Sequence, residues 1–335
     1  MLNYAIRRLV LAIPTLLLIS LVIFLVIDLA PGSPMSQVPL TVPPEVRAKI
    51  RESLGLDAPI YVRYFKWLGQ FFITEPAYAI DHIFGTNWAD GRQRILSYQS
   101  RSPVIDIIWQ RLPQTLLVVG LSYVLAVVIA IPIGIISAYR QYSWIDQTGT
   151  FVSMIGFSVP TFFTGTVLIW IFATKLGWLP SVYNTAMVVD SWATFWSRVS
   201  QMVMPVTVLT LFNASQISRY MRASMIDNLG QDYVRTARAK GLPERTVVLT
   251  HVFRNSLIPV VTVVALGVPT IFAGAIITER VFGVNGLGQQ LITSIFANDI
   301  PMVQTLTFVF AALILIFNLI ADLIYGWLDP RIRYD

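Results

Sequence analysis

The chain has 335 residues, of which 55% are hydrophobic and 13% charged, and its mean hydropathy is +0.66. Water-soluble domains carry about 25% charged residues, so this chain has too little polar surface for a globule in water and belongs in a membrane. It has no cysteine and two histidines, His82 and His251, which excludes disulfides, thiolate nucleophiles and a three-histidine metal site. The net charge of +6 would suit nucleic acid, but basic residues facing the cytoplasm give a membrane protein the same balance, so no nucleic-acid partner is expected.

The first uncharged run covers residues 9–27 and follows Arg7 and Arg8. A helix needs about 20 residues to cross the hydrocarbon core of a bilayer, so this run predicts a transmembrane helix. The run is too long for a signal peptide, and Asp-Leu-Ala-Pro at residues 28–31 is a poor cleavage site. We therefore expect an uncleaved anchor.

The next 80 or so residues are less apolar and predict a small module outside the bilayer. Pro43-Pro44-Glu45 opens a helical pattern that runs to residue 54, residues 55–59 interrupt it, and the pattern resumes over residues 61–72. The polar stretch 74–102 predicts a loop.

Five further uncharged runs predict five more spans. The fourth span of the six is the least apolar, because Asn213, Ser215 and Gln216 suit a face that lines a path rather than one that contacts lipid. The sequence thus predicts an all-α integral membrane protein with six transmembrane helices. The five additional runs are residues 112–139, 147–174, 199–218, 255–278 and 300–321.

The distribution of basic residues predicts the orientation. Twelve lie on the side of the termini, seven of them between Arg219 and Arg254, whereas the short loops opposite hold three. Because short cytoplasmic loops are enriched in Lys and Arg, both termini are predicted to be cytoplasmic.

The predicted spans contain no internal charged residue or histidine, which disfavours an ion-coupled secondary carrier. Glu279 and Asp322 stand only at span ends, where we expect solvated carboxylates, with a gate or substrate contact as the alternative. Each of the four lysines follows Ala, Phe or Thr rather than Gly, so the chain lacks a phosphate-binding P-loop. The glycines between residues 283 and 288 predict a sharp external turn.

A short helix is predicted in the loop 219–254. Asp232 suits an N-cap, Arg238 and Lys240 complement the negative end of a helix, and Gly241 suits the left-handed position that follows, with Pro243 beginning the next helix. A helix this short is marginal alone and needs packing against a partner. A lipid-bound surface helix is the alternative reading of its basic residues.

This loop resembles the cytoplasmic loop motif of ABC importer permeases. Gly241 and Ala237 match the motif's glycine and second alanine, whereas Arg235 and Thr236 replace its Glu and first Ala. The run from Asp232 to Leu242 is similar, nearly residue for residue, to the dipeptide/oligopeptide subfamily. Further similarities are His251-x-x-Arg254-Asn255, Arg111-Leu-Pro113, Glu279-x-Val-Phe282, Gly286-Leu-Gly288 and Asp329-Pro-Arg-Ile-Arg333.

The resemblance implies a type I ABC import permease in the inner membrane. Its implied partners are a homologous second permease, two ATP-binding subunits, an extracytoplasmic solute-binding protein and membrane lipid. The chain itself would bind no cofactor and no metal and would catalyse no reaction, since ATP and Mg²⁺ would be used by the partner subunits. Peptides are the expected cargo. The alternatives are an oligosaccharide or other small solute and, in a different class, a secondary carrier.

The uncharged runs, their polar residues and the resemblance together assign roles along the chain. Residues 1–30 would hold the tail and first span, 31–111 an extracytoplasmic segment, 112–326 a five-helix core and 327–335 a cytoplasmic tail. The residues expected to couple to the ATPase are Asp232, Tyr233, Arg235, Ala237, Arg238, Lys240 and Gly241. Those expected along the translocation path are Asn213, Ser215, Gln216 and Glu279.

Overall fold

The computed structural model describes residues 2–29, 35, 41–53, 55–273 and 275–328. Within these ranges the regular elements are helices, apart from one isolated antiparallel bridge between Leu96 and Pro103. The helices are α1 (Leu2–Leu29), α2 (Pro44–Ser53), α3 (Ile60–Gly69), α4 (Glu75–Phe84), α5 (Val104–Thr115), α6 (Leu121–Tyr139), α7 (Trp144–Ser158), α8 (Thr161–Leu168), α9 (Trp192–Leu229), α10 (Asp232–Ala239), α11 (Glu244–Thr246), α12 (Phe253–Ala273), α13 (Ile276–Phe282), α14 (Leu287–Phe296) and α15 (Ile300–Leu328). Short π-helical segments extend several of them: Gln70–Thr74, Leu116–Gly120, Ile169–Lys175 and Val247–Val252.

The chain forms two compact units. The core unit comprises Met1–Arg8, Gln114–Gly288 and Ile314–Asp335, and the flanking unit comprises Leu9–Pro113 and Gln289–Leu313. The segment boundaries predicted from the sequence concern the two sides of the membrane and stay a prediction, and most of the predicted tail 327–335 lies outside the described residues.

Among the described residues, four helical stretches are long and apolar enough to cross a membrane: Arg7–Leu29, Val104–Tyr139, Glu244–Phe272 and Ile300–Asp322. A bent pair, α7 with α8, would be a fifth. The all-helical membrane class is confirmed, but the described helices supply four or five candidate spans rather than six. The predicted span 199–218 lies in α9, a 38-residue helix. The polar residues of α9 make it less apolar than the candidate spans, and it is not one of them.

The predicted span 147–174 is not one straight helix. α7 and α8 meet at an angle of 103°. Pro160 has no N–H and disfavours helical torsions at the residue before it, and Val159 is accordingly extended, with ψ 126°. The predicted span 255–278 is also too long, since α12 ends at Ala273.

The core unit is built around α9, which packs against α6 and α7. Ala130 and Gly134 of α6 are buried, and a Cβ on Gly134 would collide with Met221 of α9. On α7 the Ser153 hydroxyl lies 3.1 Å from the Ser218 hydroxyl of α9. Small residues let helices approach closely where lipid removes the hydrophobic driving force, so packing and hydrogen bonds hold this bundle together.

In the flanking unit, α2 and α3 confirm the two helical patterns predicted on either side of Gly55. The prediction of a loop over residues 74–102 is wrong at its start, because α4 covers Glu75–Phe84 and has Pro76 in its first turn, a favoured place for proline. Residues 85–103 contain no helix. They are held by Arg94, whose guanidinium lies 2.7 Å from Glu75 and 2.8 Å from Asp106.

Candidate functional site

The short helix predicted in the loop 219–254 is present as α10. Gln231, which has extended torsions, is its N-cap, so the prediction of Asp232 as N-cap is wrong by one residue. Asp232 is instead the first helical residue, where its carboxylate still complements the positive end of the helix.

The end of α10 matches the prediction. Gly241 has φ +74°, the left-handed region that glycine enters without steric cost. Its N–H donates to the Arg238 carbonyl at 2.9 Å. Pro243 is the N-cap of α11, so four residues, 240–243, connect α10 to α11.

One side of α10 is anchored to the core unit. Val234 is fully buried and Ala237 is 6% exposed. Both belong to an apolar cluster with Val247 and Val248, which follow α11. This packing supplies the support that an eight-residue helix needs, and it points Ala237, a predicted coupling residue, inwards.

The other side of α10 is polar and exposed, and carries the remaining predicted coupling residues. The Tyr233 hydroxyl donates to the side-chain oxygen of Asn228 at 2.7 Å, which fixes its ring beside the end of α9. The exposed set is Asp232, Tyr233, Arg235, Arg238, Lys240 and Gly241.

Arg238 also contacts its own chain. Its Nη2 and Nε donate to the two carboxylate oxygens of Glu244 at 2.7 and 3.2 Å. These hydrogen bonds raise the pKa of Arg238 above its ordinary value. The pair closes the turn around Gly241. Sequence reasoning missed Glu244, because a pairing across an irregular turn has no fixed spacing.

The four predicted path residues do not meet in one place. Ser215 is 2% exposed, donates to the Leu211 carbonyl at 2.6 Å, and lines a mainly apolar cavity of about 540 Å³ between α6, α7 and α9. Asn213 donates within α9 to the Leu209 carbonyl, and Gln216 is half-buried.

Glu279, the fourth, is 1% exposed, so the expectation of a solvated carboxylate is wrong. The Thr115 hydroxyl donates to it at 3.0 Å and accepts from the Leu287 N–H at 2.8 Å. A Cβ on Gly286 or Gly288 would strike the Glu279 carboxylate. The glycines expected to form only an external turn thus leave room for a buried carboxylate.

Asp322, the other carboxylate at a span end, lies 3.1 Å from Arg8 and is partly exposed. Among the described side chains, no group of three or more potential metal ligands is found.

Comparison with known proteins decides the family. Residues 130–334 match the family described as the binding-protein-dependent transport system inner membrane component, and residues 1–119 match the N-terminal family of the same membrane components. The chain belongs to this permease family.

Two relatives align over the whole permease. It is 37% identical to the oligopeptide transport system permease protein AppB of Bacillus subtilis, over 99% of both chains. It is 36% identical to the glutathione transport system permease protein GsiC of Escherichia coli K12, over the full length of both. The permease is thus a multi-pass membrane subunit of an ABC importer rather than an enzyme, as the sequence indicated, and it works within a transporter complex.

Proposed function

We propose that α10 couples this permease to an ATP-binding partner subunit. The supporting observation is the division of the helix into two sides. Val234 and Ala237 fasten it to the core unit, while an exposed polar side is free for a partner. A displacement of α10 would be transmitted to α12, because the apolar cluster that holds α10 includes Val247, Val248 and Val252. These residues lead directly into α12. Closure of the ATP-binding subunits would rock the spans and alternate access to the cargo.

The proposed cargo is short peptides. The two aligned relatives are named for oligopeptide and for glutathione transport, and the subfamily resemblance of the loop points the same way. The proposed path uses Asn213, Ser215, Gln216 and Glu279. The six spans predicted from the sequence carry no internal charge, so selection would rest with the binding protein.

The proposed complex contains a homologous second permease, two ATP-binding subunits and an extracytoplasmic solute-binding protein. ATP and Mg²⁺ would bind the partner subunits, and this chain would bind no cofactor. Both termini are proposed to be cytoplasmic. The Arg8–Asp322 contact at 3.1 Å supports a common side for the beginning of α1 and the end of α15.

The test of coupling is charge reversal on the exposed side of α10. Arg235→Glu changes a side chain that is 76% exposed and whose single ion pair among the described residues is a 3.9 Å contact with Asp232. In the reconstituted complex, we expect this variant to lose the stimulation of ATP hydrolysis by loaded binding protein. The control, Lys49→Glu, alters an exposed cation on α2 and should leave stimulation unchanged. Full stimulation of the Arg235→Glu complex would remove α10 from coupling.

The test of cargo is separate. The solute-binding protein that stimulates the complex should be purified and the compound in its cleft identified by mass spectrometry. Recovery of peptides supports the proposal, whereas recovery of an oligosaccharide would contradict it and leave the coupling role intact.

A further inference from the structure

The flanking unit contains a cavity of about 490 Å³, a volume within the range of small-molecule sites. Its walls come from α3, from residues 93–101, from the end of α1 and from the first turn of α15. Neither α10 nor the proposed path contributes to it.

A buried amide faces this cavity with nothing to bind. Gln304 of α15 is 3% exposed and lines the cavity, and its side chain makes no hydrogen bond to any of the described residues. Its neighbour Thr305, by contrast, accepts from the Trp67 indole at 3.2 Å. Buried polar side chains are nearly always hydrogen-bonded, so this amide, which is open to the cavity, is available to a polar ligand.

The charges around the cavity favour an anion. Arg63 and Arg94 are already paired, with Asp28 at 2.6 Å and with Glu75 and Asp106. Lys66 and Arg101 also line the cavity, are exposed, and have no acidic partner in the part of the chain that the structure describes. Lys66 and Arg101 therefore provide two positive charges at the same cavity as the Gln304 amide.

The position of the cavity identifies the source of the anion. Phe24 and Asp28 belong to the last turns of one candidate span, and Ile300 begins another. The cavity is thus level with span ends, where the phosphates of a bilayer lie. Leu21 and Leu25, one helical turn before Phe24 and Asp28, are 38% and 36% exposed, and provide an apolar surface for acyl chains.

We propose that this cavity binds the headgroup of an anionic phospholipid. Lys66 and Arg101 hold the phosphate, the Gln304 amide hydrogen-bonds to headgroup oxygens, and the acyl chains lie along α1. With the proposed topology the lipid belongs to the outer leaflet, but its binding does not depend on which solute is carried.

The test measures lipid binding to the purified, delipidated transporter complex. Phosphatidylglycerol is titrated in detergent and bound lipid is counted by native mass spectrometry. We expect Gln304→Leu and the double variant Lys66→Gln/Arg101→Gln each to weaken binding by about tenfold, the effect of losing a hydrogen bond to a charged group. Gln110→Leu and Lys49→Gln, which change exposed residues away from the cavity, are the matched controls and should bind as the unmodified complex does.

Two competitors separate the possible sources of the anion. An excess of inorganic phosphate or of an acidic dipeptide should leave the lipid bound. Displacement by phosphate would make the cavity a free-anion site, and displacement by the dipeptide would make it a cargo site. Either result, or equal lipid binding by the cavity variants and the controls, would overturn the proposal.

Discussion

Gly241 combines a left-handed backbone with open space. A Cβ at this position would meet nothing within 4 Å, yet φ is +74°. Gly241→Val should therefore cost about 1 to 2 kcal/mol through backbone strain alone. Gly230→Val is the control, since Gly230 has φ −82° and its Cβ would meet only the Asp227 carbonyl, at 3.9 Å. Hydrogen exchange of α10 should accelerate in the first variant only, and equal exchange would contradict a strained turn.

The Arg238–Glu244 pair has a structural role that can be separated from any role in docking. Both side chains are about 40% exposed, so their attraction is worth roughly 0.2 to 1 kcal/mol. Arg238→Glu should loosen the turn, and adding Glu244→Arg should restore its protection from hydrogen exchange.

If Arg238 also contacts the ATPase, the double variant regains local order without regaining stimulated ATP hydrolysis. Recovery of both would limit Arg238 to closing the turn.

Asp81 predicts a pH dependence in the flanking unit. Burial pushes its pKa upwards, but hydrogen bonds from the Thr86 hydroxyl and from the Ala89 and Trp88 N–H groups outweigh burial and lower the pKa. Because the pKa is lowered on folding, these bonds stabilise the turn above the unfolded pKa of about 4, and the stabilisation is lost as pH falls through the lower folded value. Protection factors of the Trp88 and Ala89 amides should fall below about pH 4, and Asp81→Asn should remove that step.

At this scale the sequence predicts backbone features better than partners. Gly241 was predicted because its conformation depends on its own missing side chain. Glu244 and the burial of Glu279 were not, because each depends on residues that only the folded chain brings near. Asp232 was one residue off, since Asp suits both an N-cap and a first helical position.

At the scale of elements, the turn between α13 and α14 is fastened by Glu279. Gly286→Ala would drive a Cβ into the Glu279 carboxylate and the Thr115 hydroxyl, an overpacking that typically costs 1 to 3 kcal/mol. Gly120→Ala is the control, because its Cβ would meet only Ile271, at an ordinary 3.7 Å. The midpoint temperature of thermal unfolding of the purified permease should be lower in Gly286→Ala and unchanged in Gly120→Ala. Equal midpoints of the two variants would contradict the prediction, because they would show that the turn accommodates the added Cβ without cost.

The bent pair of α7 and α8 shows why the length of a span can be predicted while its shape is not. Residues 147–174 are uncharged whether the helix is straight or broken, so composition gives the length of the run and not its direction. Pro160 was the available signal, since it constrains the residue before it. Similarly, α4 was missed because residues 74–102 were judged as one stretch, in which the polar residues after Phe84 outweigh the mainly apolar Glu75–Phe84.

At the scale of the whole molecule, the orientation of the permease is directly testable, because the chain has no cysteine. Single cysteines at Ser100 or Asn285 should react with a membrane-impermeant thiol reagent in intact cells, and one at Gln231 should react only after the membrane is opened. These three positions are exposed. Ser97, in the same predicted loop as Ser100, is unsuitable because it is 1% exposed and donates to Asp299. Equal labelling of positions 100 and 231 in intact cells would contradict the assigned orientation. Labelling of position 231 alone would reverse it.

Family and class were accessible from the sequence because they rest on composition and on a motif of consecutive residues. The predicted span 199–218 is the one that the candidate spans lack, because α9 joins a half-polar stretch to apolar turns in one helix. Its suitability for a bilayer depends on which neighbours cover Asn213 and Gln216. Neither composition nor hydropathy contains that information.

The break between α7 and α8 also bears on how the permease changes shape. A continuous helix resists a change in its direction because its main-chain hydrogen bonds must stretch or rupture. Pro160 has no N–H with which to bond the Gly156 carbonyl, so that bond is already missing where the chain turns. Altering the angle between the two helices then requires rotation about a few torsions near Val159 without melting a helical turn. The angle of this 103° bend could therefore change without breaking a further main-chain hydrogen bond, so the bend can flex at low energetic cost.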